Sequence, residues 1–179
     1  MGSIIIRYFS FEFGELVLGS YDGELCLCDW RYRKMRTATD RRMQDGLNSE
    51  YVEGDSPVIQ MTQKQLGEYA QGNREIFTIP LRMVGTDFQK QVWHALINIP
   101  FGQTETYLGL SKKLGNAKAI RAIASANGAN ALGIIVPCHR VIGSKGELVG
   151  YAGGLPVKRD LLKLEKVDLD PNQGKLFPI

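Results

Sequence analysis

The chain has 179 residues, 44% of them hydrophobic and 23% charged, with a formal net charge of +3. This is the composition of an ordinary globular protein, long enough to bury one sizeable core or two small ones. No apolar run approaches the roughly 18 residues of a membrane span, and no basic segment leads into an apolar stretch with a small-residue cleavage site, so neither an anchor nor a secretory leader is expected.

In chain order, Ile4-Ile-Ile, Glu15-Leu-Val-Leu18 and Glu24-Leu-Cys-Leu-Cys28 predict strands, with Tyr21-Asp-Gly23 a hairpin turn between the last two. Residues 31–56 are polar and predict a loop or a loosely ordered helix. Pro57 to Gly72 predicts a helix, with Pro at its start and Gly at its end. Phe77-Thr-Ile-Pro-Leu81 predicts a short extended segment. Thr86 is the candidate N-cap of a helix over Asp87–Ile97, where Phe88, Val92, Trp93 and Leu96 recur at helical spacing. Two further helices, Thr106–Gly115 and Ala117–Ala126, flank a break at Gly115-Asn116 and form a helix-turn-helix pattern. The second is built of small residues, with Arg121 its only long polar side chain after Lys118. Such a helix can lie close against a surface while one Arg projects from it. Ile134-Ile-Val136 predicts a buried strand leading into Pro137-Cys138-His139-Arg140. The fold class is α/β (α+β): an N-terminal α/β domain over 1–82, a mainly helical C-terminal domain over 83–170, and a tail over 171–179.

Charge is uneven along the chain. Residues 1–80 carry 9 Lys/Arg against 12 Asp/Glu, whereas residues 100–165 carry 9 against 4. A basic C-terminal half fits a polyanionic partner. The three cysteines, without extracellular signals, fit a reducing compartment. Cys26 and Cys28 read as space-filling strand residues on opposite faces. Their spacing lacks the Cys-x-x-Cys pairs of a zinc site, and no metal is expected. Cys138 differs, because it stands next to one of only two histidines. Thiolate is the reactive form, a free thiol titrates near ~8.5, and a neighbouring base raises the thiolate population. On the residues alone, a nucleophile and an inert buried cysteine beside a satisfied histidine both stay open.

Pro137-Cys-His-Arg-Val141, with Asn130 ahead of it and Gly150-Tyr-Ala-Gly-Gly154 behind, resembles the O6-alkylguanine-DNA alkyltransferases. The resemblance extends through Gly85-Thr-Asp-Phe-Gln-Lys-Gln-Val-Trp93, Ile99-Pro-Phe-Gly102, Tyr107, Gly115-Asn116 and Arg121-Ala122. It is looser over residues 4–80, where the family carries a variable, ribonuclease-H-like α/β domain. The resemblance implies that Cys138 accepts the alkyl group of O6-alkylguanine, and of O4-alkylthymine, in one irreversible turnover without a cofactor. His139 would be the base acting through a water, Glu165 its orienter, and Asn130 a brace for the preceding turn. Tyr107 would hydrogen-bond the flipped guanine and help protonate it as it leaves. Val141, Tyr151, Ala152 and Lys158 would belong to the pocket. Arg121 would fill the gap in the duplex, with Ala119, Ala122, Ala126 and Arg140 also at the DNA, the helix entering the minor groove of double-stranded DNA. The expected protein is monomeric and cytoplasmic.

Gly133 departs from the family, which often has Pro in the stretch after Asn130, and is expected to loosen the strand entrance or widen the pocket toward larger alkyl groups. Three other readings compete. A recognition-only relative would lack the acceptor cysteine. A transcription regulator would need a polar reading helix. A thiol hydrolase would turn over repeatedly and bring Cys138 directly to His139.

Overall fold

The computed structural model describes residues 2–169; Met1, Asp170 and the expected tail 171–179 lie outside them. Three strands, β1 (Ile4–Phe11), β2 (Gly14–Tyr21) and β3 (Glu24–Trp30), form an antiparallel meander longer than the apolar runs suggested. Asp22 and Gly23 turn β2 into β3 with φ of 52° and 79°, the left-handed pair that matches the twist of a two-residue hairpin. Ser20 pairs with Leu25 and Gly19 with Leu27, so Cys26 is an extra residue bulged from β3. Strict alternation would put Cys26 and Cys28 on one face. The bulge shifts the alternation: Cys26 joins a small cluster with Ile4, Ile6 and Met43, while Cys28 enters the main core. The opposite faces expected for the pair are found, and the bulge is their cause.

Residues 31–56 are more ordered than expected. They hold α1 (Arg36–Leu47) and β4 (Tyr51–Glu53), which pairs parallel to β1 and completes the sheet order β3-β2-β1-β4. Only Thr39 and Met43 of α1 are buried, so the helix has no apolar stripe for a sequence reading to find. Arg36 bonds Asp40 one turn on and Asp29 at the end of β3. Helix α2 (Pro57–Ala70) is capped by Ser56 and buries Val58, Ile59, Leu66 and Tyr69. The extended segment after it runs beside β3, where Leu25 bonds the backbone of Pro80 and Arg82.

Helix α3 (Asp87–Ile97) starts at Thr86 with a complete capping box closed by Gln89. β5 (Glu105–Thr106) leads into α4 (Tyr107–Lys113), and α5 spans Ile120–Gly128. The small-residue helix therefore begins three residues later than its Ala-rich run. Asn116 Oδ1 accepts from the Lys118 N–H at 3.1 Å, an Asx-turn that keeps residues 116–119 out of the helix.

The strand expected at Ile134–Val136 is absent; these residues form a buried turn in which Ile134 has φ of 71°. Asn130 closes that turn, donating from Nδ2 to Val136 O at 2.8 Å and accepting from the Leu132 N–H at 2.9 Å. A short apolar run signals burial, and burial alone does not specify a strand. After the Cys138–Arg140 turn, β6 (Val141–Ile142) pairs parallel with β5, and α6 (Leu155–Leu164) ends the described fold. One hydrophobic core crosses the 82/83 boundary, joining Leu16, Trp30 and Tyr69 to Trp93, Ile123, Val136 and Leu161. No helix among the described residues is long and apolar enough to cross a membrane.

Candidate active site

Cys138, His139 and Arg140 occupy one 3-10 turn, wedged between the Asn130-braced loop and the β5–β6 pairing. Successive residues there point in different directions, so the thiol and the imidazole serve different compartments. Cys138, 5% exposed, reaches a cleft of about 960 Å³. Tyr107, Arg121 and Asn127 form one wall of the cleft and the Gly150–Gly154 loop another, while Tyr32 to Met35 contribute from the sheet half. The Gly150–Gly154 loop rests on Trp30, whose Nε1 donates to Tyr151 Oη at 3.2 Å. A Cβ at Gly153 would stand 2.6 Å from the indole, so only glycine lets the wall settle there.

Behind the cleft, His139 is fully buried and its Nε2 lies 2.7 Å from Glu165 Oε1. Glu165 caps the C-terminus of α6. Arg140 holds both of its carboxylate oxygens, Tyr69 Oη donates to Oε1 at 2.7 Å, and the Gly102 N–H donates to Oε2 at 3.1 Å. Burial would raise the Glu165 carboxyl, but His139 and Arg140 outweigh it and hold the group at about 2. A carboxylate only accepts hydrogen bonds, so Nε2 carries the proton and Nδ1 keeps a lone pair. Burial lowers the His139 pKa against the pull of Glu165, which leaves the ring neutral near pH 7. Nδ1 has no hydrogen-bond partner in the protein. Burial raises the Cys138 thiol, opposed by Asn130 and by the positive charges of Lys158 and Arg33. The chemical content is a protonated thiol facing a cleft, with an unengaged base on the adjacent residue.

The other expected site residues divide. Tyr107, Arg121, Tyr151 and Ala152 line the cleft with Cys138. Arg121 and Ala122 are exposed on α5, and Ala119 is half-buried at its start. Ala126 does not face outward as a DNA contact would. It is 2% exposed, and its carbonyl accepts from Trp93 Nε1 at 2.8 Å, because α5 turns this face to α3. Arg140 is likewise interior, engaged by Glu165 and by Ile99 O, and cannot meet a phosphate as expected. Lys158 lies behind the cleft wall rather than in it. It is fully buried, donating to Val141 O and Val149 O, and burial lowers its ammonium to about 8 against the charge of Cys138. Val141 is buried too, and Asn130 acts from beneath the site. Gly133 faces β3: a Cβ there would be 3.3 Å from Cys28 O, so the residue serves a close approach and does not widen the cleft.

Three contributors were not anticipated. Tyr69 and Trp30 come from the sheet half, more than 90 residues from their partners, and no local pattern marks them. Asn127 stands three residues before Asn130 in a helix end that reads as ordinary. Among the described residues no group of three His, Cys, Asp or Glu is placed to hold a metal ion.

The model of the 6-O-methylguanine DNA methyltransferase DNA-binding domain matches residues 87–167. A methylated-DNA–protein-cysteine methyltransferase of Methanosarcina acetivorans is 53% identical over 102 residues, 57% of this chain and 65% of that protein's own length. Its counterpart in Methanosarcina barkeri is 51% identical over 106 residues, covering 59% of this chain and 67% of the relative. Among solved structures, Mycobacterium tuberculosis OGT in complex with DNA superposes with a TM-score of 0.78 at 37% identity, covering 90% of this chain and 92% of that one.

Proposed function

The chain belongs to the O6-methylguanine DNA methyltransferase family, and on that premise we propose that it repairs DNA by taking the alkyl group of O6-alkylguanine onto Cys138. The single observation that carries the chemistry is the buried His139, proton on Nε2 against Glu165 and lone pair on an unpartnered Nδ1, beside a buried thiol that opens on a cleft. In this reading Nδ1 takes the Cys138 proton through a bridging water, and Glu165 stabilises the imidazolium that forms. The sulfur pair then forms a C–S bond to the alkyl carbon while the C–O6 bond breaks and its electron pair leaves with guanine. Tyr107 supplies a proton to a ring nitrogen of that anion. Burial, and after it the neighbouring Cys138, raise Tyr107 to about 12 against the opposing hydrogen bond from Asn127, so the phenol is protonated and able to donate. The thioether product is chemically stable, because a thiolate is a poor leaving group from an alkyl carbon, which makes the protein self-consuming. O4-alkylthymine enters the same scheme as a second substrate.

The exposed face of α5 carries Arg121, Ala122, Ala124 and Ser125. A narrow surface of small side chains suits the minor groove of a duplex, and Arg121 at the cleft rim fits the space a flipped nucleotide leaves. In this reading one monomer acts in the cytoplasm; the three free, buried cysteines fit a reducing compartment and carry no information on assembly.

Intact-mass spectrometry after incubation with an oligonucleotide bearing one O6-methylguanine tests the reading. One methyl per chain, mapped to Cys138, is expected. The Cys138→Ser protein is expected to bind the same DNA without gaining mass. Repeated turnover, or an adduct elsewhere, would contradict the proposal.

A further inference from the structure

The mouth of the cleft collects side chains that a protein surface usually keeps apart. Tyr32, Met35, Ile120 and Leu155 are large, apolar and exposed, Tyr32 at 78% and Met35 at 59%, and all four border this one opening. The lining also carries Arg33, Lys34 and Arg121 and no carboxylate. An apolar rim set with cations and free of acids fits a polyanion that has apolar parts of its own. Ile120 and Arg121 belong to α5, whereas Tyr32 to Met35 come from the sheet half.

Two consecutive turns set this segment at the end of β3. The Arg33 N–H donates to Trp30 O at 3.2 Å, and the Arg36 N–H donates to Arg33 O at 3.1 Å. Arg33 itself is buried, donating to both oxygens of Asp29, to Asn130 O and to the carbonyl of Gly128, the last residue of α5. Its neighbours Tyr32, Lys34 and Met35 are exposed. The buried anchor therefore fixes three outward side chains relative to α5. The Tyr32 hydroxyl donates to Glu15 Oε2 at 3.3 Å, and Arg31 meets the same oxygen at 2.9 Å, so that carboxylate is already paired.

A nucleotide flipped into the cleft stays joined to both neighbours, so its strand must cross the mouth with its phosphates. Arg121 stands in the first turn of α5, and Arg33 grips the last residue, roughly 10 Å further along the helix. We propose that Tyr32-Arg-Lys-Met35 is a second DNA contact: Lys34 pairs with a phosphate of the strand that carries the flipped nucleotide, while Tyr32 and Met35 rest on its sugars. This assignment rests on the alkyl-transfer function proposed above. It gives the sheet half a part in holding damaged DNA, outside residues 87–167 that match the family's DNA-binding domain. Contacts to phosphate and sugar position a duplex without reading its sequence, so the segment adds affinity whatever flanks the lesion.

The test titrates a duplex bearing one O6-methylguanine, at several salt concentrations, with the full chain carrying Cys138→Ser, which keeps the complex at equilibrium. Adding Lys34→Gln is expected to weaken binding and to reduce the steepness of log affinity against log salt by about 0.9, the share of one phosphate contact. Lys64→Gln makes the same charge change at an exposed position of α2 outside the cleft, and is expected to leave that slope as it was. A slope is unaffected by the fraction of variant that folds. Tyr32→Ser and Met35→Ser are each expected to weaken binding about fivefold at every salt concentration, with the slope kept. An unchanged slope in Lys34→Gln, or an equal fall in Lys34→Gln and Lys64→Gln, would overturn the contact, as would full affinity in both apolar variants. A Cys138→Ser chain that does not bind the duplex, together with a wild-type chain that accepts no methyl from it, would instead overturn the function itself, and this inference with it.

Discussion

Two buried carboxylates, each held by arginine, tie the sheet half to the helical half, and they do different work. Asp29 receives Arg33 and Arg36, and Arg33 reaches on to Gly128 O and Asn130 O, at the end of α5 and the start of the Cys138 loop. Glu165 receives Arg140, His139 and the Tyr69 hydroxyl. Burial pushes the Asp29 carboxyl up despite its two arginines, whereas His139 and Arg140 hold Glu165 down at about 2. The telling difference is in the partners. Arginine does not titrate in proteins, so the Asp29 cluster has no proton to move and is a clamp. Glu165 has one partner that titrates, and a clamp with a titrating member can also serve chemistry.

Separating stability from rate gives the sharpest test of that contrast. Asp29→Asn and Glu165→Gln each leave a buried guanidinium short of its counter-charge, and each is expected to cost about 3–5 kcal/mol in denaturant unfolding. Transfer rate per folded molecule should then divide them: about 100-fold or more lost in Glu165→Gln, from impaired base catalysis, and only a few-fold in Asp29→Asn. Equal rate losses would erase the distinction.

The pH dependence gives an intermediate effect. His139 is lowered by burial, so the wild-type transfer rate is expected to hold through neutrality and to fall only below His139's ordinary value of about 6.5. Stability follows Glu165 separately. Its folded value of about 2 lies below the unfolded value of about 4.3, so its contribution is complete above the latter and drains away as pH falls toward the former. A stopped assay series alongside acid unfolding monitored by Trp fluorescence would show the rate failing before the fold does. Simultaneous loss would mean that His139 protonation unfolds the site.

Tyr69→Phe carries the smallest expected effect. The ring keeps its packing against Phe77 and Phe101, and Glu165 keeps His139, Arg140 and the Gly102 N–H. A loss of about 1 kcal/mol in unfolding, typical of one hydrogen bond, is expected with little change in rate. A large rate loss would place the sheet half within the catalytic machinery.

The sequence by itself determined what local chemistry can encode. The Asp22-Gly23 hairpin, the Thr86 capping box and the small-residue character of α5 are short-range patterns, and each has a physical cause within a few residues. The adjacency of Cys138 and His139, read with the motifs around it, also singled out the pair proposed to react. Burial of Ile134–Val136 was legible in its side chains, but its backbone path was not, because Asn130 dictates a turn through bonds to Leu132 and Val136. Arg140 and Ala126 read as surface residues and became interior ones once Glu165 and Trp93 approached them. Only the tertiary structure brought Tyr69 to Glu165, Arg33 to the Cys138 loop and Asn127 to Tyr107. Those contacts are satisfied by partners remote in sequence, whose side chains give no periodic signal; they exist because burying both halves in one core strands polar groups, most of which find mates across it.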